Sequence, residues 1–339
     1  MSTLYLVEQG AELSCEGERL IMRRGVETLQ TVPLARIEDA VVFGNVALTT
    51  PALKRLLDAN VTVTFLTVHG RYHGRLVGRV SAHVDLRRAQ YRRAEDSTWA
   101  LRMAQQCVEG KLRNCRALLQ RFCRNRNDPP AAAVQAAQTL DGFIARVART
   151  TQLSSLLGVE GSATACYFGG IRTLFDPAWA FDNRNRRPPR DPVNLLLSLG
   201  YTLLSHKVLG AVEAAGFDPY QGFLHQTDYN RPSLSLDLME EFRPLLVDSL
   251  VLRCCADGRI TQADFSAGEE DEVPVILSDA GKRRFIAAFE ERMRTEANHP
   301  DGADGRPGKV SYLRCLDLQA RQLARCVRGT EEYQPFAVR

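Results

Sequence analysis

The sequence predicts an α+β protein, with a small N-terminal β-rich domain followed by a larger all-α domain. Two observations carry this. Residues 1–83 hold short apolar or alternating segments separated by glycine and charged turns, the pattern of half-buried strands. From residue 84 to 339, apolar residues recur at helical spacing, and breakers are confined to a few polar or proline- and glycine-rich joints. A length of 339 residues suits two domains, and a hydrophobic content of 45% supplies a sizeable core.

In the first domain "TLYLVE", "ERLIMRR", "ETLQTVPL" and "DAVVFG" read as strands. "TPALKRLLDAN" reads as a short helix capped by Thr50, with Pro51 in its first turn. "VTVTFLT" is a β-branched run suited to a buried strand, and "GRYHGRLVG" reads as a hairpin arm. Beyond it, one long helical segment runs from Asp85 to Arg126, ended by "NDPP". Two helices follow, at about 131–150 and 153–175. The arginine- and proline-rich loop "FDNRNRRPPRDP" closes on Asp191 as an N-cap with Pro192 at the first helical position. A further helix runs through "FRPLLVDSLVLRCC", "GEEDEV" reads as an acidic loop, and "HPDGADGRPGKV" as a flexible connector before the closing helix.

Net charge is only +4, which excludes a strong polycation, yet the cations are nearly all arginine, with lysine only at positions 54, 111, 207, 282 and 309. Arginine suits bidentate phosphate contacts; a GC-rich coding sequence explains the bias equally well. The N-terminus lacks the basic, then apolar, layout of a signal peptide, and no apolar run approaches a membrane span, so the reading is cytoplasmic with no membrane contact. Nine cysteines include no C-x-x-C pair, which argues for packed, reduced thiols over a zinc or iron–sulfur site.

Three elements carry candidate chemistry. Asp237, Glu240 and Glu241 would share one face of a helix. Asp-x-x-Glu is also a capping-box pattern, with Asp237 as cap and Glu240 reaching back. His225 follows "GF" and precedes the polar "QTDYN"; it reads either as a packed structural histidine or as a ligand open to water. Glu160 sits among Gly158, Gly161, Ser162, Ala163 and Ala165, small residues that admit another helix or a ligand. A buried glutamate needs a counter-charge. That is either an arginine or a divalent cation shared with His225 and the later acids. Two carboxylates and an imidazole, completed by water and phosphate oxygens, suit Mg2+ or Mn2+.

Three stretches then bear a resemblance. "LLGVEGSATACYFGGI", "RNRRPPRDPVNLLLSLGYTLL" and "GFLHQTDYNRPSLSLDLMEEFRPLLVDSLV" closely resemble the CRISPR-associated protein 1 family, the integrase of the CRISPR adaptation module, and the resemblance covers essentially the whole chain. It implies a β-rich domain over residues 1–83 that dimerises and a helical metal-dependent catalytic domain over 84–339. Carried over onto matching positions, it implies Glu160, His225 and Glu240 as catalytic metal ligands, with Asp237 as a fourth candidate. Some members have aspartate where this chain has Glu240.

The implied reaction is attack of a DNA 3′-hydroxyl on a phosphodiester at the repeat boundary, with Mg2+ or Mn2+ as cofactor; endonuclease cleavage is the same chemistry. The implied DNA contacts are Arg184, Arg186, Arg187 and Arg190, with Asn194 and Tyr201 lining the cleft and the run from Arg71 to Arg93 as a second surface. Implied partners are double-stranded DNA (prespacer and CRISPR repeat), a second copy in a homodimer, CRISPR-associated protein 2, and a separate iron–sulfur trimming nuclease. The alternatives are a non-catalytic DNA-binding scaffold, whose acids serve as caps and ion pairs, and a general phosphodiesterase acting on RNA or small nucleotides.

Overall fold

The computed structural model describes residues 2–78, 83–124, 126–185, 188–225, 231–270, 273–302 and 305–338. The chain divides into two compact units, Met1–Ser81 and Ala82–Arg339.

The first unit is β-rich, as its alternating segments require. One sheet has the order β1 (Ser2–Leu6), β5 (Ile37–Phe43), β7 (Thr62–Leu66), β8 (Tyr72–Leu76). Its first three strands are parallel and β8 returns antiparallel to β7, so "GRYHGRLVG" is the expected hairpin arm. The second sheet has the order β4 (Glu27–Pro33), β3 (Arg19–Arg24), β2 (Glu12–Glu16), β6 (Ala47–Leu48). The helix α1 (Thr50–Asp58) follows, capped one residue earlier than expected: Thr49, not Thr50, accepts the N–H of Ala52. Leu4, Leu6, Leu13, Leu20, Val42, Leu56 and Val63 form one buried core.

The second unit is mostly helical: α2 (Val84–Glu95), α3 (Ser97–Arg124), α4 (Ala131–Val147), α5 (Leu153–Arg172), α6 (Pro192–Ala215), α7 (Ser233–Glu240), α8 (Ser249–Ala256), α9 (Asp279–Arg294) and α10 (Tyr312–Val327). It is not all-α, because two strand pairs interrupt it. β9 (Phe265–Glu270) pairs with β10 (Val273–Leu277), where an acidic loop was expected, and β11 (Glu296–His299) pairs with β12 (Gly308–Ser311), bracketing the expected connector. "VPVIL" is a short β-branched run, and in both strand pairs the pairing satisfies backbone groups.

The long segment read as one helix breaks at Asp96, which leaves helical geometry (φ −78°, ψ 95°) and accepts the N–H groups of Thr98 (3.1 Å) and Trp99 (3.0 Å). That is an N-cap, and it lets α3 leave α2 at a new angle. α6 begins as expected, with Asp191 accepting the N–H of Asn194 at 2.9 Å. Contrary to the sequence reading, α6 is long and apolar enough to cross a membrane by length and composition, yet 67% of its apolar window is buried in the unit, the signature of a core helix. α3 packs on α4, α5 and α7, and α6 on α7 and α10, so α3, α5, α6 and α7 converge.

Candidate active site

Each of the converging helices delivers a polar side chain to one place. α3 carries Lys111, the only lysine of that helix, and its side chain is 7% exposed. Its ammonium bonds Glu160 Oε1 of α5 and lies 2.8 Å from Glu240 Oε2 at the end of α7. The counter-charge of Glu160 is therefore neither of the two expected from sequence. Thr164, one turn on, also donates to Glu160 Oε1, at 2.9 Å. Gly158, Gly161, Ser162 and Ala165 are exposed, and a Cβ at either glycine would meet nothing within 4 Å among the described residues. The small residues thus leave Glu160, 23% exposed, open to approach rather than admitting another helix.

Glu240 is nearly buried, with a 6% exposed side chain. Burial alone would raise its pKa, but Arg243, Lys111 and His225 outweigh burial and lower it to about 2. It is a carboxylate at any physiological pH. Arg243 Nε lies 3.0 Å from Glu240 Oε1. Neither that contact nor the one from Lys111 to Oε2 follows a hydrogen-bond direction, so Oε2 has no directed donor.

Asp237 is neither a cap nor an open ligand. α7 starts at Ser233, four residues earlier, so Asp237 lies within the helix. Its Oδ2 accepts the N–H groups of Phe223 (2.6 Å) and Leu224 (2.9 Å), and its Oδ1 accepts the N–H of His225 (3.0 Å) and the ring Nδ1–H (2.7 Å). Four donors occupy both oxygens, so the fourth candidate ligand is committed to shaping the histidine loop. Gly222 permits the approach: a Cβ there would stand 2.8 Å from Asp237 Oδ2. With Nδ1–H given to Asp237, His225 keeps its lone pair on Nε2, the arrangement that metal-binding histidines use. From the other side Gln90 of α2 holds the same loop, donating to the carbonyls of Asp218 and Gln221, both at 2.8 Å. Replacing Asp237 with asparagine puts an NH2 against these donors. The lost acceptors leave buried N–H groups unpaired, so the variant is expected to lose about 1–3 kcal/mol of stability, which chemical denaturation checks.

Glu241, the third acid, faces away from this place. It is fully buried and accepts from Tyr333 (2.6 Å), the N–H of Phe336 (2.7 Å) and Gln319 (3.0 Å). Burial nevertheless pushes its carboxyl up to about 8 from an ordinary 4.5. Between those values the folded chain holds a proton that the unfolded chain has released, so this group's stabilisation is full at low pH and is lost as pH rises toward 8. The thermal midpoint of Glu241→Gln should therefore be flatter with pH across that window than that of the unaltered chain.

Beside the carboxylates lies a small cleft of about 20 Å³, space for about one water-sized group, lined by Lys111, Thr164, Tyr201, Arg184, Arg243 and Asp248. A π-helical turn at Pro244–Asp248 aims Asp248 into it, where it accepts from Tyr167 (2.7 Å) and Tyr201 (2.5 Å). Such turns recur at functional sites. The guanidiniums of Arg243 and Arg184 lie 4.6 and 5.4 Å from the Tyr201 ring centroid.

The expected DNA-contact residues fare differently. Arg184 faces the cleft, bonded to Asn194 Oδ1 (2.7 Å) and Ser198 (3.2 Å), and Arg190 is exposed. Arg186 and Arg187 lie outside the described residues. Asn194 is fully buried, its amide committed to Asn183 and Asp191, so it holds the arginine loop and does not reach a ligand. The run from Arg71 to Arg93 is divided between the two units: Arg71 and Arg75 belong to the first, and Arg87, Arg88, Arg92 and Arg93 to α2 of the second. Arg79 lies outside the described residues.

Two features bear on a divalent cation. Glu160 and Glu240 already converge on a cation, the Lys111 ammonium, and Glu240 Oε2 is buried without a directed donor. Hard oxygen donors with one imidazole nitrogen are the set that Mg2+ or Mn2+ accepts. Against this, among the described residues no three of His, Cys, Asp and Glu stand close enough to hold a metal as placed. The residues fit a cation in kind, on condition that the ammonium gives way.

The chain matches the family model "CRISPR associated protein Cas1" over residues 4–291. It is 36% identical over 345 residues to a CRISPR-associated endonuclease Cas1 of Chlorobaculum tepidum, covering 100% of this chain and 99% of the relative. It is also 36% identical over 334 residues to a CRISPR-associated exonuclease Cas4/endonuclease Cas1 fusion of Geobacter sulfurreducens; the match takes in 96% of this chain and spans 58% of the fusion's length. Among solved structures, a Cas6-RT-Cas1–Cas2 complex superposes with a TM-score of 0.84 and 27% identity, covering 99% of this chain and 36% of that one.

Proposed function

Because the chain belongs to the CRISPR-associated Cas1 family, we propose that it is a metal-dependent DNA endonuclease and integrase that inserts new spacer DNA into a CRISPR array. The observation that carries this is the convergence of Glu160 and Glu240, from two helices, on one cation position, with His225 pinned by Asp237 of the same helix as Glu240.

In the reaction a prespacer 3′-oxygen forms a bond to the scissile phosphorus as the bond to the array's 3′-oxygen breaks. One phosphodiester replaces another, and the proton lost by the attacking hydroxyl matches the one gained by the leaving oxygen. Glu160, Glu240 and His225 Nε2 would hold Mg2+ or Mn2+. Such an ion would supply Lewis-acid neutralisation of the charge that develops on the scissile phosphate. Arg243 and Arg184 offer guanidiniums to phosphate oxygens at the cleft, with Tyr201 fixing their planes. Asp237 positions His225, and Asn194 positions the loop bearing Arg184 and Arg190.

Two relatives' names support the choice of partners. The Cas4 exonuclease joined to a Cas1 relative favours a nuclease of that kind as a partner, and the Cas1–Cas2 complex favours CRISPR-associated protein 2. We further propose a homodimer formed through the β-rich domain, acting on double-stranded DNA in the cytoplasm.

The test is transfer of a labelled duplex with free 3′ ends into a repeat-containing plasmid. Transfer that requires Mn2+ or Mg2+ and stops with chelator supports the reading. Duplex binding without transfer at any metal concentration overturns it and leaves the non-catalytic scaffold.

A further inference from the structure

The four charges at the centre of the site nearly cancel. Glu160 and Glu240 are balanced by Lys111 and Arg243, all drawn from the interior of one helical cluster. A divalent cation added to this set would be surrounded by two cations, and one must withdraw. Arg243 pairs with Glu240 at 3.0 Å and lies over the Tyr201 ring, and among the described residues no ion pair joins it to Glu160. Lys111 sits between the two carboxylates. Its contacts with Glu160 and Glu240 are ion pairs, and their charge is what a divalent cation would replace. It also lines the small cleft that Asp248 borders, where there is room for one group the size of its ammonium and a carboxylate, already held by Tyr167 and Tyr201, to turn toward. Removing a cation from between two facing carboxylates is costly unless another replaces it.

From this we infer that Lys111 is a resident counter-ion that holds Glu160 and Glu240 together before metal arrives and is displaced from between them, into the adjoining cleft, when a divalent cation binds. The inference rests on the metal-dependent reading above. It makes Lys111 a positioning residue whose ammonium competes directly with the metal. Wasteful nicking is thereby limited, because the carboxylates stay neutralised until metal concentration suffices to displace an internal cation.

The experiment is calorimetric titration with Mn2+ of the unaltered full-length chain and of Lys111→Met, Lys111→Arg and Glu240→Gln, with thermal melts of each with and without Mn2+. The unaltered chain binds Mn2+ at a site that Glu240→Gln removes. Lys111→Met binds Mn2+ on the order of tenfold more tightly, a typical coupling between groups in contact; it melts lower without metal and gains more from adding it. Lys111→Arg, which keeps the charge, binds no more tightly than the unaltered chain. A purely structural lysine would weaken Mn2+ binding when removed. Unchanged or weaker binding by Lys111→Met, with Glu240-dependent binding intact in the unaltered chain, overturns the counter-ion role alone. Absence of Glu240-dependent binding in the unaltered chain overturns the metal reading and the counter-ion role together.

Should Lys111→Met fold only with Mn2+, the inference is supported. Should it fold in neither condition, the unaltered chain decides. Its lysines are at 54, 111, 207, 282 and 309, so 13C-lysine labelling gives few signals, and Lys111→Arg identifies the one sought. Movement of the Lys111 ε-carbon signal on Mg2+ titration supports displacement; a stationary signal overturns it.

Discussion

A Glu240→Gln variant transfers DNA strands at least ~10³-fold more slowly than the unaltered chain, at saturating Mn2+. Glutamine keeps the shape of the side chain and removes only its charge. On the proposed reading that charge would hold a divalent cation opposite Glu160, and it exists throughout the physiological range because Arg243 and Lys111 keep the carboxyl ionised despite burial. The substitution also leaves Lys111 and Arg243 facing one carboxylate instead of two. Breaking a buried pair from one side costs about 3–5 kcal/mol, so the variant should melt lower as well. The two effects separate by measurement: initial transfer rates are compared at a temperature where circular dichroism shows both chains folded. A rate within tenfold of the unaltered chain would mean that Glu240 is only an ion-pair partner.

Removing residues 333–339 is expected to lower the thermal midpoint by more than about 10 °C, or to prevent folding. Tyr333 and Phe336 are buried against the turn that ends α7. Phe336 stacks on Phe242 at 5.0 Å and, with Tyr333, supplies two of the donors that satisfy the buried Glu241. Asn114 of α3 clamps the same strap, donating to the carbonyl of Phe336 (2.8 Å) and accepting the N–H of Val338 (3.0 Å). Gly110 makes room, because a Cβ there would stand 2.7 Å from Pro335. Two buried aromatics and several buried hydrogen bonds together contribute on the order of 5 kcal/mol or more. The segment thus braces Glu241, which is adjacent to Glu240. A truncated chain with an unchanged melting curve would contradict this account.

The α+β division was legible because period-2 and helical spacing are properties of the chain itself. Glu160, His225 and Glu240 were legible as motifs, but their environment was not. Lys111 stands 49 positions before Glu160 and looked like one cation in an arginine-rich helix; only packing of α3 against α5 and α7 puts it between the acids. A lone lysine beside a glycine in that stretch was the available signal. Asp237 was read as a cap or a ligand because helix spacing shows which residues share a face, not which backbone loop closes onto it. Arg243 went unremarked among many arginines, and Asn194 was taken for a contact because its burial arises from a loop folding back. At Asp96 the capping signal "D-S-T" was outweighed by the helical run on both sides. The β9–β10 pair was hidden by the acidic residues in "GEEDEV".

The most direct measurement is anomalous diffraction from crystals grown with Mn2+. The account predicts one manganese peak within coordinating distance of Glu160, Glu240 and Nε2 of His225, with the Lys111 ammonium moved out from between the carboxylates. A peak elsewhere, or none beside an ammonium still bridging Glu160 and Glu240 at saturating Mn2+, would contradict it.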